Sequence, residues 1–432
     1  VCLIPDPVGT KFDVIVVGAG PAGLTAAQQL ASKGFKVLVI ERGKKPGSKN
    51  VFGGRIYAHV LDRLYPEYVK EAPVERWVRR ERITMMTEDS WTTMDFETTK
   101  VEHRSFTTYL TNFVEWLDKK AESAGAVVVS EVPVDSLIIR DGKVLGVRAG
   151  NDEVYGDVTI IAEGINRLVL ERSGLAPKLS PDLVALGVKE VIKLGREEIN
   201  DRFNLDEDEG LAWVIAGFPT HYLPGGAFIY TNKEAITLGI VIYLSYGYQL
   251  DIPVHDLIEE FRLHPMVKRL IKGGQLLEYS AHLTPVAGIN AAPPKLYGNG
   301  YLVVGDAAGF LLHLGIIIRG VDFAMESGRL AAEAVAKAHD LGKYDEESLS
   351  IYGKLLEDSF VLRELRTFRN AHKVLIDPRL YNDYVRLINN LLRRYFDVDG
   401  TPRRLGTTLL ESKGGLTLID LARDAIRLVM NL

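Results

Sequence analysis

Residues 12 to 54, FDVIVVGAGPAGLTAAQQLASKGFKVLVIERGKKPGSKNVFGG, constrain this chain more than any other stretch. Strand, glycine turn, helix, second strand and a terminal acid follow one another there in register. Asp13 to Val17 is a β-branched run suited to a strand buried on both faces, and it leads into Gly18, Gly20 and Gly23 at the spacing G-x-G-x-x-G. Gly18 permits a tight turn, Gly20 lets backbone approach a pyrophosphate, and Gly23 lets the helix pack closely on the strand. Pro21 suits the first helical turn, where its missing N–H is not needed. The spacing predicts a helix from Pro21 to Ser32, with Leu24, Ala27 and Leu30 on one face and a positive dipole end turned to phosphate. Lys36 to Ile40 reads as the second strand. Glu41 follows it directly, where a carboxylate can accept both ribose hydroxyls and repel a 2′-phosphate. The glycine motif alone also occurs in ordinary turns; the features in register point to an ADP-containing cofactor.

A chain of 432 residues is long enough for two or three structural lobes. Its net charge of -5 and its lack of a Lys/Arg block argue against nucleic acid as a partner. Cys2 is the single cysteine. A cysteine-ligated iron-sulfur cluster needs about four thiolates and a redox disulfide needs two, so this chain alone is expected to carry neither. No metal site is expected. No secretory signal is visible at the start, and cysteine scarcity fits a reducing compartment. The apolar runs 239–244 and 309–318 fall far short of the roughly 20 residues that span a bilayer, so any membrane contact would be monotopic.

Beyond the first unit, residues 82 to 97 alternate as paired strands would, and Ser105 to Ala124 reads as an amphipathic helix ending at Gly125. Short strands follow around 126–130, 134–140, 144–149 and 158–161, with Asp141-Gly142 as a hairpin turn. From 182 to 284 the character changes. Aromatic and β-branched strands surround a Gly-Gly pair, and a helix is expected over 254–261, as in a second lobe inserted into the first. YLVVGDAAG then reads as a buried strand of the resumed first lobe, followed by a helix over 320–339 and a charged helical remainder with an amphipathic stretch over 416–432. The division is therefore 1–181, 182–284, 285–343 and 344–432, with the strands near 82–104 able to join the second lobe.

Gly305-Asp306-Ala307-Ala308-Gly309 is the second informative motif. An aspartate at the end of a buried strand can accept a ribityl hydroxyl while the N–H groups after it meet phosphate. An N-cap role for Asp306 is the plainer alternative. Joined to the first motif, it points to FAD rather than NAD. Ala162-Glu163-Gly164 stands where a chain passing beneath the adenine side would turn. Leu314-Gly315-Ile316 can place N–H groups against the flavin N1 and C2 carbonyl, stabilising a reduced anionic ring, although the run 310–318 also suits core.

The segments GAGPAGLTAAQQLASKGFKVLVIERG, KNVFGGRIYAH, EYSAHLTPVAGIN and GDAAGFLLHLGIIIRG together resemble the FixC-type branch of the electron-transfer-flavoprotein:quinone oxidoreductases, and the likeness covers most of the chain. The resemblance implies an α/β fold: a Rossmann-like FAD-binding domain of the glutathione-reductase type, an inserted α+β quinone domain and a helical C-terminal region. It implies an FAD enzyme taking electrons from the alpha and beta subunits of an electron-transfer flavoprotein and passing them to a membrane quinone at the cytoplasmic membrane face. In bifurcating complexes it further implies NADH as donor and a separate ferredoxin-like iron-sulfur protein. Carried over by position, Gly18, Gly20, Pro21, Ala22, Gly23, Glu41, Arg42 and Val132 would hold the ADP portion. Lys49, Asn50, Gly53, Gly54, Glu163, Gly164, Gly305, Asp306, Gly315 and Ile316 would complete the cofactor site, and Gly225-Gly226 would lie against the quinone head. Spacing alone leaves that glycine pair equally open to a plain hairpin turn.

Two departures stand out. The family's single-chain members end in a cysteine-ligated cluster domain that this sequence lacks, so electrons are expected to enter from a partner. Many relatives carry a cofactor-contacting arginine where Leu110 stands here, and Arg104 is the candidate substitute. Quinone reduction takes two protons, for which His313, His282, Tyr230 and Tyr279 are candidates, each with a plain core role as the alternative. A flavin-dependent prenyl (geranylgeranyl) reductase or monooxygenase is the alternative enzyme, and an adaptor with purely structural FAD is the alternative of another class.

Overall fold

The structure, a computed structural model, describes residues 11–48, 53–98 and 104–432. Cys2, Lys49 and Asn50 lie outside them. Strands Phe12–Val17, Val37–Ile40, Val127–Val129, Asp152–Ile161 and Tyr301–Val303 form a parallel sheet in the order 301, 152, 12, 37, 127, with the short antiparallel strand Tyr297–Gly298 at one edge. Val14 to Val17 and Val37 to Ile40 are buried throughout, as expected of strands covered on both faces. Helix Pro21–Ala31 packs on this sheet beside helix Val321–Asp340, and the two cross closely because Gly328 has no Cβ: one built there would stand 2.2 Å from the Ala22 carbonyl oxygen. Strands Ser136–Arg140 and Lys143–Ala149 extend the sheet as a hairpin whose turn residues, Asp141 (φ 49°) and Gly142 (φ 72°), both take the left-handed conformation a two-residue turn requires.

Among the described residues the second sheet has nine strands. Gln275–Pro285, Val184–Lys193, Ala235–Tyr243, Gly225–Thr231 and Glu209–Gly217 run antiparallel to their neighbours. Glu209–Gly217 then pairs in parallel with Arg76–Met86, so strands from before residue 110 complete a sheet whose other half lies more than 70 residues later. The buried Arg76 joins these halves: its guanidinium donates to the Asn232 carbonyl (2.7 Å), Asn200 Oδ1 (2.7 Å) and the Glu209 carbonyl (3.0 Å). A buried arginine needs such a full set of acceptors.

One element differs from its sequence reading. Ser105–Tyr109 is a strand paired with Gly53–Tyr57, and the helix begins only at Leu110 and runs to Ser123. The residues SFTTY are aromatic and β-branched, and their pairing with a distant strand outweighs the helical periodicity downstream. Beyond Asp340 the chain is helical, including Ile351–Asp358, Phe360–Thr367, Ala371–Leu375, Asp383–Phe396, Leu405–Ser412 and Leu418–Asn431. No helix among the described residues is long and apolar enough to cross a membrane.

Candidate functional site

A cavity of about 1020 Å³ runs from the carboxyl ends of the parallel strands to the face of the second sheet. That volume is at the top of the roughly 300–1,000 Å³ range of small-molecule sites. Val17, Ile40, Ala162 and Val304, each at or just past the end of a parallel strand, line its first end, where open α/β sheets bind ligands. Gly18, Ala19, Gly20, Pro21, Ala22, Glu41, Arg42 and Val132 line it with them.

The local geometry follows from the glycines. Gly18 has φ +104°, and a Cβ there would meet the Ala162 carbonyl oxygen at 2.4 Å. Gly20 differs: among the described residues nothing lies within 4 Å of a Cβ built on it and no side chain caps the helix, so the missing side chain leaves room in front of the helix N-terminus. Gly23 lies outside the lining and serves packing, its hypothetical Cβ 2.1 Å from the Gly18 carbonyl oxygen. The Glu41 carboxylate is fixed by two backbone donors, Ala19 N–H to Oε2 (2.9 Å) and Gly43 N–H to Oε1 (2.6 Å). Each oxygen keeps a further acceptor site for a hydroxyl. An open, uncapped helix end beside an oriented carboxylate fits an ADP portion: N–H groups for the pyrophosphate, acceptors for the ribose.

Midway, Gly305–Ala308 forms a short turn of helix, and Asp306 faces the cavity; its extended N-cap position is filled by Val304, so Asp306 is not the cap. Burial pushes the Asp306 carboxyl up to about 6, against the pull of His282 and Arg167. Glu163 and Gly164 also line the cavity. The Glu163 carboxylate accepts from the Val169 and Leu170 N–H groups (2.8 and 2.9 Å), so it anchors the start of helix Leu168–Arg172. Burial raises its pKa nonetheless.

At the far end the lining comes from the second sheet and from the turn after His313. Leu312–His313 pairs with Ile318–Arg319, and the Leu314 and Ile316 N–H groups are spent inside that turn on the Ile317 and Leu314 carbonyls (2.9 and 3.0 Å). This corrects the expectation that the whole 314–316 backbone is offered to a ligand, although Gly315 and Ile316 do line the cavity. Gly225 and Gly226 are strand residues paired with Ile242 and Val241, not a hairpin turn. Neighbouring strands leave no room for a Cβ on either: it would lie 2.2 Å from the Val241 carbonyl oxygen at Gly225, and 2.8 Å from that of Ile215 at Gly226.

Among the proton-donor candidates, His313, His282 and Tyr230 line the cavity. Burial raises the Tyr230 hydroxyl, and burial together with His372 pushes His313 down to about 4. The His282 ring nitrogen Nδ1 meets the Leu283 carbonyl. Tyr279 lies elsewhere, 48 % exposed on the edge strand; strand alternation turns it to the face opposite His282. Gly54 and Arg104 are also outside the lining, whereas Leu110 is in it. Arg104 stands exposed just before the strand that the sequence reading made helix. The reading missed six charged groups that line the cavity, Arg55, Asp135, Arg172, Lys189, Arg319 and Asp322. Arg55 pairs with Glu81 (2.5 Å), the buried Lys189 pairs with Glu278 (3.1 Å), and Arg319 pairs with Asp322 (2.7 Å). Burial lowers the Lys189 pKa, with Glu278 opposing. Only the apolar run broken by a charge at Arg319 could have signalled any of them.

Three family models match the chain: the Thi4 family over residues 9–75, the ubiquinone-binding ETF-QO domain over 184–284 and the ETF-QO/FixC family C-terminal domain over 371–432. The chain is 42 % identical over 421 residues to the probable electron transfer flavoprotein-quinone oxidoreductase YdiS of Escherichia coli (strain K12), covering 96 % of this chain and 98 % of that protein. It is 41 % identical over 420 residues to Protein FixC of the same strain, with the same coverage, and 40 % identical over 402 residues to Protein FixC of Bradyrhizobium diazoefficiens, covering 91 % and 92 %. Among solved structures, a geranylgeranyl bacteriochlorophyll reductase-like protein from Thermoplasma acidophilum superimposes with a TM-score of 0.74 at 21 % identity, covering 97 % of this chain and 99 % of that one. The flavin-dependent brominase Bmp2 follows at 0.65 and 19 %, covering 97 % and 98 %. At these identities the two structures speak for the fold alone.

Proposed function

The chain belongs to the FixC and electron-transfer-flavoprotein:quinone oxidoreductase family, and from that premise we propose that it passes electrons from an electron-transfer flavoprotein to a quinone. It is an oxidoreductase, and its cofactor is FAD. The observation that carries the reading is one continuous cavity with a nucleotide-shaped end at Gly20 and Glu41 and an apolar end at the second sheet, within the span that the ubiquinone-binding family model matches. FAD, when bound, supplies a two-electron relay between those ends.

The chain's own residues do the positioning. Gly18, Gly20, Pro21, Ala22 and the oriented Glu41 hold the ADP portion, with Arg42 and Val132 beside it; Glu163, Gly164, Gly305 and Asp306 lie along the middle, and Gly315 and Ile316 toward the far end. Asp306 accepts a hydroxyl. Gly225 and Gly226 present bare backbone at the quinone end, and His313, His282 and Tyr230 are the groups there able to hold or move a proton. We assign residues 1–181 and 285–343 to the FAD-binding domain, except that the strands over 76–97 join 182–284 in the quinone domain, and 344–432 to the helical region.

The finer reading places the chain in a complex with both electron-transfer-flavoprotein subunits and a ferredoxin-like iron-sulfur protein, driven by NADH and bifurcating. It sits at the inner face of the membrane. Exposed Leu276, Leu277 and Tyr279 on the edge strand, and Ile419, Ile426, Val429 and Met430 on the last helix, support a peripheral, monotopic contact. The test is anaerobic. Flavin reduced in the purified protein should be reoxidised by a short-chain benzoquinone, and a reduced flavin that no quinone reoxidises would sink the proposal in favour of a prenyl reductase, a monooxygenase or an adaptor.

A further inference from the structure

Behind the quinone end lies a group of buried polar atoms that nothing else in the fold uses. Tyr243 Oη, His313 Nδ1 and His372 Nδ1 are each shut off from solvent with no hydrogen-bond partner among the described residues. They come from three separate elements: strand Ala235–Tyr243, the pair Leu312–His313 and helix Ala371–Leu375. Their rings are neighbours, Tyr243 lying 6.1 Å from His313 at 77° and 5.8 Å from His372 at 39°. Tyr243 is 1 % exposed and His372 8 %. Three unpartnered polar groups in one spot are costly to a fold, roughly 1–3 kcal/mol each, unless water or a ligand satisfies them.

The surroundings supply an inlet and an outlet. Tyr243 and His313 line the large cavity, while His313 and His372 line a second, separate one of about 10 Å³. That is close to the smallest space that holds one water. Its wall also includes Gly288, Leu365, Phe368 and the exposed Arg369, so it reaches from the histidines toward the surface. His313 therefore stands between the two cavities, with a ring that can meet either.

We propose that His372, His313 and Tyr243 form a proton relay that brings protons from the small cavity beside Arg369 to the quinone in the large one. The inference rests on the quinone reading of that cavity. The quinone takes up two electrons and two protons to give the quinol; the electrons come from the reduced flavin, and both protons leave His313 in turn, each replaced through His372 from solvent that enters the small cavity. A neutral imidazole suits this work because one nitrogen donates while the other accepts, so a proton passes through without a lasting charge. Burial holds both histidines below the ordinary range, which keeps them neutral at pH 7. The titratable and charged groups facing them are Tyr243, Tyr381 behind it, Asp182 toward His372, and Arg369. Tyr243 is held protonated by burial, so it passes a proton only in concert.

The test separates proton supply from electron supply in the holoenzyme. Photoreduced protein is mixed in stopped flow with a short-chain benzoquinone, which needs protons, or with ferricyanide, which needs none. His372→Gln and Tyr243→Phe are expected to slow quinone-dependent reoxidation by about 10-fold or more, raise its solvent isotope effect and leave the ferricyanide rate at the wild-type value. Free imidazole should partly restore the quinone rate in His372→Ala. Apart from turnover, ¹³C-histidine NMR should show His313 shifting its titration when His372 is replaced. Equal losses with both acceptors, or no loss in either variant, would overturn the relay alone; wild-type protein that no quinone reoxidises would overturn the quinone reading with it.

Discussion

Arg319, at the end of a short strand, and Asp322, in the first turn of the following helix, stand with Nη2 2.7 Å from Oδ2, and the same carboxylate oxygen meets His59 Nε2 at 2.9 Å from a segment 263 residues away. The Asp322 side chain is 1 % exposed. Burial works against the Arg319 charge, and Asp322 with Glu364 more than offsets it, so the guanidinium is held more firmly protonated than usual. Removing one partner from such a group strands the others. Asp322→Ala is therefore expected to cost about 3 kcal/mol or more in urea unfolding, whereas the double change Asp322→Leu with Arg319→Met should cost clearly less than the sum of the singles.

Two glycines on facing helices should respond in opposite ways to the same substitution. Gly20→Ala adds a methyl to open space at an ordinary φ of -85°, so thermal stability without FAD should stay within about 0.5 kcal/mol while the affinity for FAD falls. Gly328→Ala drives a methyl into the Ala22 carbonyl at 2.2 Å, and a loss of about 1–3 kcal/mol is expected. Melting curves and flavin content of the two variants check this, and a destabilised Gly20→Ala would contradict the open cradle.

Asp306 gives the protein a pH dependence whose sign is fixed by its environment. Its carboxyl is pushed from the ordinary 3.8 to about 6, chiefly by burial, so the folded state holds the proton more tightly than the unfolded chain does. The resulting stabilisation is complete below the unfolded value and is lost as pH rises through 6, a swing of at most about 3 kcal/mol. Asp306→Asn removes the swing. FAD-free Asp306→Asn should thus melt above wild type at pH 7.5 and equal it near pH 4, while binding FAD more weakly at every pH.

What the sequence made legible was local. Gly18, Gly20, Gly23 and Glu41 fall within one βαβ unit, and their geometry depends on neighbours a few residues away or on the next strand, so periodicity and spacing were enough to read them. Ser105–Tyr109 was read as helix because its partner, Gly53–Tyr57, lies some 50 residues back, and a strand is recognised from its own residues only when they alternate cleanly. Arg319, Lys189 and His372 escaped for the same reason. Each matters through partners that only the assembled sheets bring close: Glu364 for Arg319, Glu278 for Lys189, Tyr243 for His372. For the glycine pair at 225 and 226 spacing leaves a quinone contact and a hairpin turn equally open, and only the pairing with Ile242 and Val241, residues of the next strand, removes the turn.

That pair yields the sharpest prediction at the quinone end. If Gly225 and Gly226 were needed only for backbone packing, alanine at either would lower stability and the quinone rate would follow the folded fraction. Gly226 keeps an ordinary backbone conformation, and its added methyl would press one carbonyl oxygen, that of Ile215 at 2.8 Å, whereas Gly225 has φ +148° and a 2.2 Å conflict with Val241. Gly226→Ala should therefore fold with a loss of about 1–2 kcal/mol and a full complement of FAD. Its quinone-dependent reoxidation should nonetheless drop by about 10-fold or more through a raised KM, with ferricyanide reoxidation unchanged. A KM equal to that of wild type would assign Gly226 to the sheet alone.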